Sequence, residues 1–287
     1  RSQPGFLERR LESLAKEGFY REAEILPIES KEERRALAAV LKAARPRLRN
    51  VTVWLSGLLK AHNLNVASVE PEGRQKAVTL LKKQVDAAAE CGATQIALYG
   101  GEDTGLLQRS EAFKALMATL KEVSTHARKA GLSVLIKPSG RYARSSKKLL
   151  ALSPDVRELL DLTKQDCPNL FTVYDTAHIA LNSEDLHGIL KLFGADIRLV
   201  HLSNAILDFK NPHYGQRHIA PGEPGFLTAR EVQELVSYAW ELELFRRDGL
   251  AFSVHYRQLP SDTDTDRVFA IATDFLKQII FEFLLQS

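Results

Sequence analysis

Short apolar runs alternate along this chain with longer stretches whose apolar residues recur every three to four positions. The first pattern predicts strands and the second predicts amphipathic helices. Strands are expected over 23–28, 50–55, 95–99, 133–137, 170–175, 197–201 and 250–255. Helices are expected over 6–16, from Ser30 onward, over 72–90, 110–130 and 153–165, from Ser183 to Gly194, and over 228–245 and 264–285. Two connections, 58–71 and 202–227, read as long loops. Local chemistry supports these boundaries. Ser30 with Glu33, and Thr228 with Glu231, have capping-box spacing, in which each side chain satisfies the other's free backbone donor. Ser153-Pro154 joins an N-cap residue to the one helical position that tolerates proline. Ser183 reads as the cap of a helix with Glu184 and Asp185 in its first turn, where the dipole favours negative charge. Gly92, Gly131 and Gly194 stop helices.

Strict alternation implies a parallel sheet covered by helices, and strands apolar on both faces suit a sheet buried on both sides. An open doubly wound sheet gives the same alternation, so the strand ends decide. Tyr99, Lys137, Asp175, His201 and His255 close five strands. In a (β/α)8 barrel such ends converge on one mouth, where the active site sits, whereas in an open sheet they fan out. The expected fold class is therefore α/β, a (β/α)8 TIM barrel. The alternation starts with a helix, so the first strand is expected to be missing or truncated ahead of Phe6. No linker or repeat divides the chain, and residues 1–287 read as a single domain.

Composition narrows the function classes. Content of 45% hydrophobic and 26% charged residues excludes disorder, collagen and coiled coil. A net charge of +3 is too weak to point to nucleic acid unless the excess is clustered. No apolar run approaches the roughly 18 residues of a membrane span. The best run, 279–285, is broken by Glu282. Cys91 and Cys167 make neither a disulfide framework nor a metal knuckle, which suggests a reducing, cytoplasmic compartment. The only methionine is Met117, so Arg1 is not expected to be the start of the gene, and nothing near it reads as a signal peptide.

The richest segment is Tyr174-Asp175-Thr176-Ala177-His178. It sets a carboxylate at a strand end and an imidazole three residues on at the same mouth. Asp ligates cations, and His ligates them or shuttles protons. Helix capping accounts for the same pair equally well. His201 and His255 end two further strands, and a buried, hydrogen-bonded histidine is the plainer account of each. Arg217 and His218 precede Pro221-Gly222-Glu223-Pro224-Gly225 in the long loop. The loop after Lys137 carries Arg141, Tyr142, Arg144, Lys147 and Lys148. A solvated basic loop is its default reading, and an anion clamp for phosphate or carboxylate is its functional one. Glu102 and Asp103, after Gly100-Gly101, can hold sugar hydroxyls or pair with those cations.

Together these segments resemble the xylose-isomerase-like barrel superfamily, which holds sugar-phosphate isomerases and epimerases, inosose dehydratases and apurinic endonucleases. The resemblance runs from about Phe6 to the C-terminus. It is carried by Asn63-Leu64-Asn65-Val66-Ala67-Ser68, similar to the family's Asn-Leu-Ala-Ser loop, and by Asp175-Thr176-Ala177-His178, similar to its Asp-Thr-Gly-His segment. Val200-His201-Leu202-Ser203-Asn204 is similar to its His-Leu-Lys-Asp, and Pro221-Gly222-Glu223 to its Pro-Gly-Glu-Gly. The resemblance implies a divalent metal held by Glu, Asp, His and Glu on the fifth to eighth strands. Asp175 and His201 match the middle two, while Lys137 and His255 stand where the family has glutamates. The endonuclease branch adds histidines on the third and fourth strands. This chain has Trp54 or a neighbour, and Tyr99, at those places, so a trinuclear zinc site is not expected.

An ammonium in place of a carboxylate repels a cation. No resident cofactor is therefore expected, least of all Mg²⁺ or Mn²⁺, and Lys137 is expected to pair with Asp175. The alternative is a transition metal (Zn, Fe or Ni) on Asp175, His178, His201 and His255, since imidazoles suit these ions. The reading that follows is a sugar isomerase- or epimerase-like enzyme. Its substrate would be small, polyhydroxylated and anionic, and its reaction would be proton transfer next to a carbonyl: isomerisation, epimerisation or dehydration. Lys137, Asp175, His178, His201 and His255 would carry the chemistry, with Tyr99, Glu102, Arg141, Arg144, Arg217 and His218 binding substrate. The first rival is a catalytically degenerate, metal-free binding or regulatory relative. The second is a Schiff-base lyase built on Lys137. Such barrels often pair, so a homo-oligomer is a further expectation.

Overall fold

The structure, a computed structural model, describes residues 5–140, 148–246, 250–256 and 265–286, and of residues 216–218, 246, 265, 268 and 286 it describes the backbone alone. In chain order the elements are α1 (Phe6–Glu17), β1 (Glu22–Ile25), α2 (Lys31–Ala44), β2 (Asn50–Trp54), α3 (Ser56–Ala61), α4 (Pro71–Glu90), β3 (Gln95–Tyr99), α5 (Arg109–Lys129) and β4 (Ser133–Lys137). They continue as α6 (Ser153–Thr163), β5 (Leu170–Asp175), α7 (Thr176–Leu181), α8 (Leu186–Phe193), β6 (Ile197–Leu202), β7 (Asn204–Ile206), β8 (Gly215–Ile219), α9 (Ala229–Glu241), β9 (Ala251–Val254) and α10 (Thr265–Gln286). All seven strands expected from the apolar runs are present, and among the described residues none precedes Glu22.

The chain divides into two compact units. The first runs to Lys137 and includes Lys148–Leu150 and Glu158–Phe171. Its strands β1 to β4 pair in sequence order and are all parallel. Val53, Ile96, Leu98, Leu135 and Ile136 are buried, but the expectation of strands apolar on both faces fails at one face of β1 to β3, where Glu22 accepts from Thr52 and Gln95. Val78, Leu81 and Val85 of α4, and Leu116, Leu120 and Val123 of α5, are buried at helical spacing. The register sets Tyr99 level with Lys137 at the C-terminal ends of β3 and β4.

The second unit pairs β5, β6 and β9 in parallel and adds the antiparallel hairpin of β7 and β8. Asp175 lies level with His201, and His201 with Ser253. The His255 N–H donates to the Leu202 carbonyl at 3.1 Å, which extends the ladder one residue past β9.

Four local expectations need correction. The helix expected from Ser183 to Gly194 is not capped by Ser183, and a short helix precedes it. Asp175 caps α7 directly, and α8 starts at Leu186 with Asp185 as its cap, accepting from the N–H groups of His187 and Gly188. Ser183 has φ of 59° and Glu184 serves another helix: its carboxylate accepts from the Ser153 backbone N–H at 2.9 Å, at the start of α6. The Ser30 box is half formed. Ser30 Oγ accepts from the Glu33 N–H, and its hydroxyl donates to the Glu32 carboxylate, a bond that is not part of the box. The Thr228–Glu231 box is complete. The two long loops are also partly structured, by α3 in the first and by β7 and β8 in the second. Neither carries the apolar periodicity that announces an element. Cys91 and Cys167 are free and buried, and burial pushes both thiols above their ordinary range. No described helix is long and apolar enough to cross a membrane.

Candidate functional site

Three strand ends of the second unit converge. Asp175 is wholly buried, His201 is nearly so, and His255 keeps about a third of its side chain exposed, 32%. One ligand-capable atom from each lies within 4.8 Å of the others. Asp175 Oδ2 is 3.8 Å from Nδ1 of His201 and 3.8 Å from Nδ1 of His255, and the two rings meet edge to face at 4.7 Å. Asp175 Oδ1 is used differently: it accepts the His178 backbone N–H at 3.1 Å and caps α7.

His178 was a ligand only in the alternative of a transition metal on four residues, and the metal-capable group among the described residues comprises Asp175, His201 and His255. The first turn of α7 instead places His178 against the backbone after β4. Its Nδ1 accepts the Gly140 N–H at 2.8 Å, which fixes the proton of the neutral ring on Nε2. The ring is 6% exposed, so it is a buried, oriented donor.

Two side chains that sequence reasoning passed over hold the centre together. Ser203 is buried, and its Oγ lies 3.1 Å from Asp175 Oδ2 and 3.2 Å from His255 Nδ1. Asn204 makes four bonds. Its amide donates to the carbonyls of Ala220 and Gly222, and its Oδ1 accepts from the N–H groups of Ala205 and Leu227. It thereby ties the Pro221-Gly222-Glu223 segment to the end of β6. Both stand in the Val200-His201-Leu202-Ser203-Asn204 segment that carries the resemblance, but most of their partners lie far away in sequence, so the segment gave neither a role.

The first unit carries a separate polar cluster at its strand ends. Lys137 is 1% exposed, and its Nζ lies 5.5 Å from the Trp54 ring centre and 6.0 Å from that of Tyr99. Those faces attract the ammonium, whereas a Schiff-base nucleophile must be neutral. The Trp54 indole N–H donates to Glu24 at 2.6 Å. Glu102 is exposed and pairs with Lys148, and Asp103 pairs with Arg109 at 3.2 Å. Asn65 Oδ1 accepts from the N–H groups of Ala67 and Glu102, so this Asn shapes the loop after β3. Arg141 and Arg144 lie outside the described residues, as do the side chains of Arg217 and His218.

The donor set fits a transition metal. Bonds of about 2.0–2.2 Å in a tetrahedral shell set ligand atoms roughly 3.3–3.5 Å apart, close to the 3.8 Å separations here. One carboxylate and two imidazoles suit zinc, iron or nickel, and offer too few oxygens for Mg²⁺.

This combination of alternating elements and converging Asp and His side chains at strand ends belongs to a known class. The chain is a member of the xylose isomerase-like TIM barrel family, whose model matches residues 17–267. Its fold is thus the expected α/β TIM barrel. No curated protein sequence matches it. Among solved structures it is similar to D-psicose 3-epimerase with D-tagatose from Clostridium cellulolyticum H10, at 14% identity and a TM-score of 0.70, over 97% of this chain and 94% of that one. It is also similar to 3-keto-D-glucoside 4-epimerase, YcjR, from E. coli (15%, TM-score 0.65, 98% and 97% covered). A third is the IolI protein with a bound zinc atom (14%, TM-score 0.69, 96% and 93% covered).

Proposed function

We propose that this protein is a sugar isomerase- or epimerase-like enzyme acting on a small polyhydroxylated, anionic substrate in the cytoplasm, as a homo-oligomer. The reaction class is proton transfer next to a carbonyl. The observation that carries the proposal is the convergence of Asp175, His201 and His255 within 4.8 Å. The similar structures support it, since two of them are sugar epimerases by name.

Asp175, His201 and His255 would hold a zinc-like ion, which when bound supplies a Lewis acid for a carbonyl or hydroxyl oxygen. The chain's own residues do the rest. His178 presents Nε2–H as a fixed donor for a substrate hydroxyl, held in that tautomer by Gly140. Lys137, buried against Trp54 and Tyr99, supplies a fixed positive charge for an anionic substrate. Tyr99, Glu102, Arg141, Arg144, Arg217 and His218 complete the proposed binding set.

The second reading is a metal-free relative that binds without turning over. It is favoured by one feature, the Ser203 hydroxyl, which already occupies two of the three candidate ligand atoms. Incubation in D₂O with a panel of ketoses, sugar phosphates and sugar acids separates the two. The enzyme reading expects deuterium at the carbon next to a carbonyl, lost in Asp175→Asn. No exchange with any compound, alongside saturable binding of one, would leave the binding module.

A further inference from the structure

We infer that Ser203 sets the metal affinity of the Asp175, His201 and His255 centre, because its hydroxyl is hydrogen-bonded to two atoms through which that centre can hold a cation. The inference rests on the proposed reading of that centre as a metal site.

A serine hydroxyl has one proton to give. A carboxylate oxygen only accepts, so Ser203 Oγ donates to Asp175 Oδ2 at 3.1 Å. The 3.2 Å contact with His255 then runs the other way, with Nδ1–H donating to Oγ. The result is a continuous line from imidazole through hydroxyl to carboxylate, which satisfies both atoms with no ion present. A cation at the centre can take the lone pair of Nδ1 and a lone pair of Oδ2. A cation that takes Nδ1 must move the ring proton to Nε2 and so break the bond to Ser203 Oγ, and it must share Oδ2 with the serine hydroxyl.

The hydroxyl is not free to leave with its backbone. The Ser203 N–H donates to Thr176 Oγ1 at 2.9 Å, and the Thr176 hydroxyl donates to the Ser203 carbonyl at 2.7 Å. Asn204, the next residue, is held by its four bonds. Only rotation about χ1 releases Oγ, and in a fully buried site a rotated hydroxyl must find a new partner or go unsatisfied. Metal entry through Nδ1 thus gives up the bond between His255 and Ser203 and leaves the serine hydroxyl competing for Oδ2. Deleting the hydroxyl removes that competition.

The test is calorimetric titration with Zn²⁺ alone. Ser203→Ala should bind at least tenfold more tightly than the unmodified protein, and Ser203→Thr, which keeps the hydroxyl, should bind like it. Ser203→Gly deletes the hydroxyl a second way should the alanine variant not fold. Equal or weaker binding by the deletion variants overturns the role of Ser203 and leaves the centre standing. Zn²⁺ binding that survives Asp175→Asn in both backgrounds places the ion elsewhere. That result fails the reading of the centre, and the inference with it.

Discussion

Asp175 divides its two oxygens between a helix and the candidate centre: Oδ1 accepts the His178 backbone N–H at 3.1 Å, while Oδ2 faces Ser203, His201 and His255. One residue therefore positions a second candidate catalytic group through the backbone and offers a ligand atom of its own. Asparagine preserves the capping oxygen and replaces the other by an amide. Asp175→Asn should fold and lose Zn²⁺ binding. Asp175→Ala should lose binding as well and, lacking the cap, be less stable than the asparagine variant by about 1 kcal/mol in urea denaturation. Equal stability of the two variants would show that the cap contributes nothing.

The bond between the Gly140 N–H and His178 Nδ1 separates orientation from chemistry in the same way. In His178→Asn a side-chain carbonyl can take the place of Nδ1, whereas His178→Phe strands a buried amide. The phenylalanine variant should be less stable than the asparagine variant by about 1–3 kcal/mol. Both should lose the deuterium exchange proposed above, since neither offers an Nε2–H. Exchange that persists in His178→Asn would remove His178 from the reaction.

The strands were legible because β-branched runs such as 133–137 and 170–175 leave no helical alternative, and their last residues pointed to the chemistry. What stayed hidden depends on contacts distant in sequence. Residues 215–219 read Gly-Gln-Arg-His-Ile, polar at most positions, and become a strand only by pairing with β7. Ser183 and Asp185 are both good capping residues, and only the fold shows that Asp185 caps α8 while Glu184 turns back to α6. Asp175 and His178, three apart, read equally well as a ligand pair and as a helix cap. The helical turn between them sends the imidazole to Gly140, and the rings beside Asp175 are those of His201 and of His255, 80 residues on by numbering. Ser203 stands in a segment that carries the resemblance, but its bonds to Asp175 and His255, 28 and 52 residues away, are legible only in the fold.

Asn204 and Gly225 should be coupled energetically. A Cβ on Gly225 would lie 2.2–2.4 Å from the Asn204 amide atoms, a distance that no side chain tolerates. Gly225→Ala should therefore push Asn204 out of its bonds to Ala220, Gly222, Ala205 and Leu227, at a cost of about 2 kcal/mol or more. Asn204→Ala removes the same bonds and opens the space. The alanine at 225 should then cost little in the Asn204→Ala background, and a double-mutant cycle should show that non-additivity. Additive costs would mean that Gly225 is required for some other reason.

Glu22 gives the fold a pH dependence of its own. Burial pushes its carboxyl up to about 8, and repulsion from Glu24 adds to this, against hydrogen bonds from Thr52 and Asn50 that lower it. Its Oε1 accepts from Thr52 at 2.8 Å and from Gln95 at 3.3 Å, while Oε2 is buried with no hydrogen-bond partner to stabilise the ionised form. The folded chain thus holds a proton that the unfolded chain releases near 4.5. Between those two values the native state binds more protons than the unfolded one, so the contribution of Glu22 to stability is fully present below about 4.5 and is lost as pH rises through about 8. The slope is at most about 1.4 kcal/mol per pH unit for one proton. Glutamine mimics the neutral acid and cannot ionise. Urea denaturation across this range should show stability falling with pH in the unmodified protein and a flatter profile in Glu22→Gln. Identical profiles would show that Glu22 ionises in the folded chain much as it does in the unfolded one.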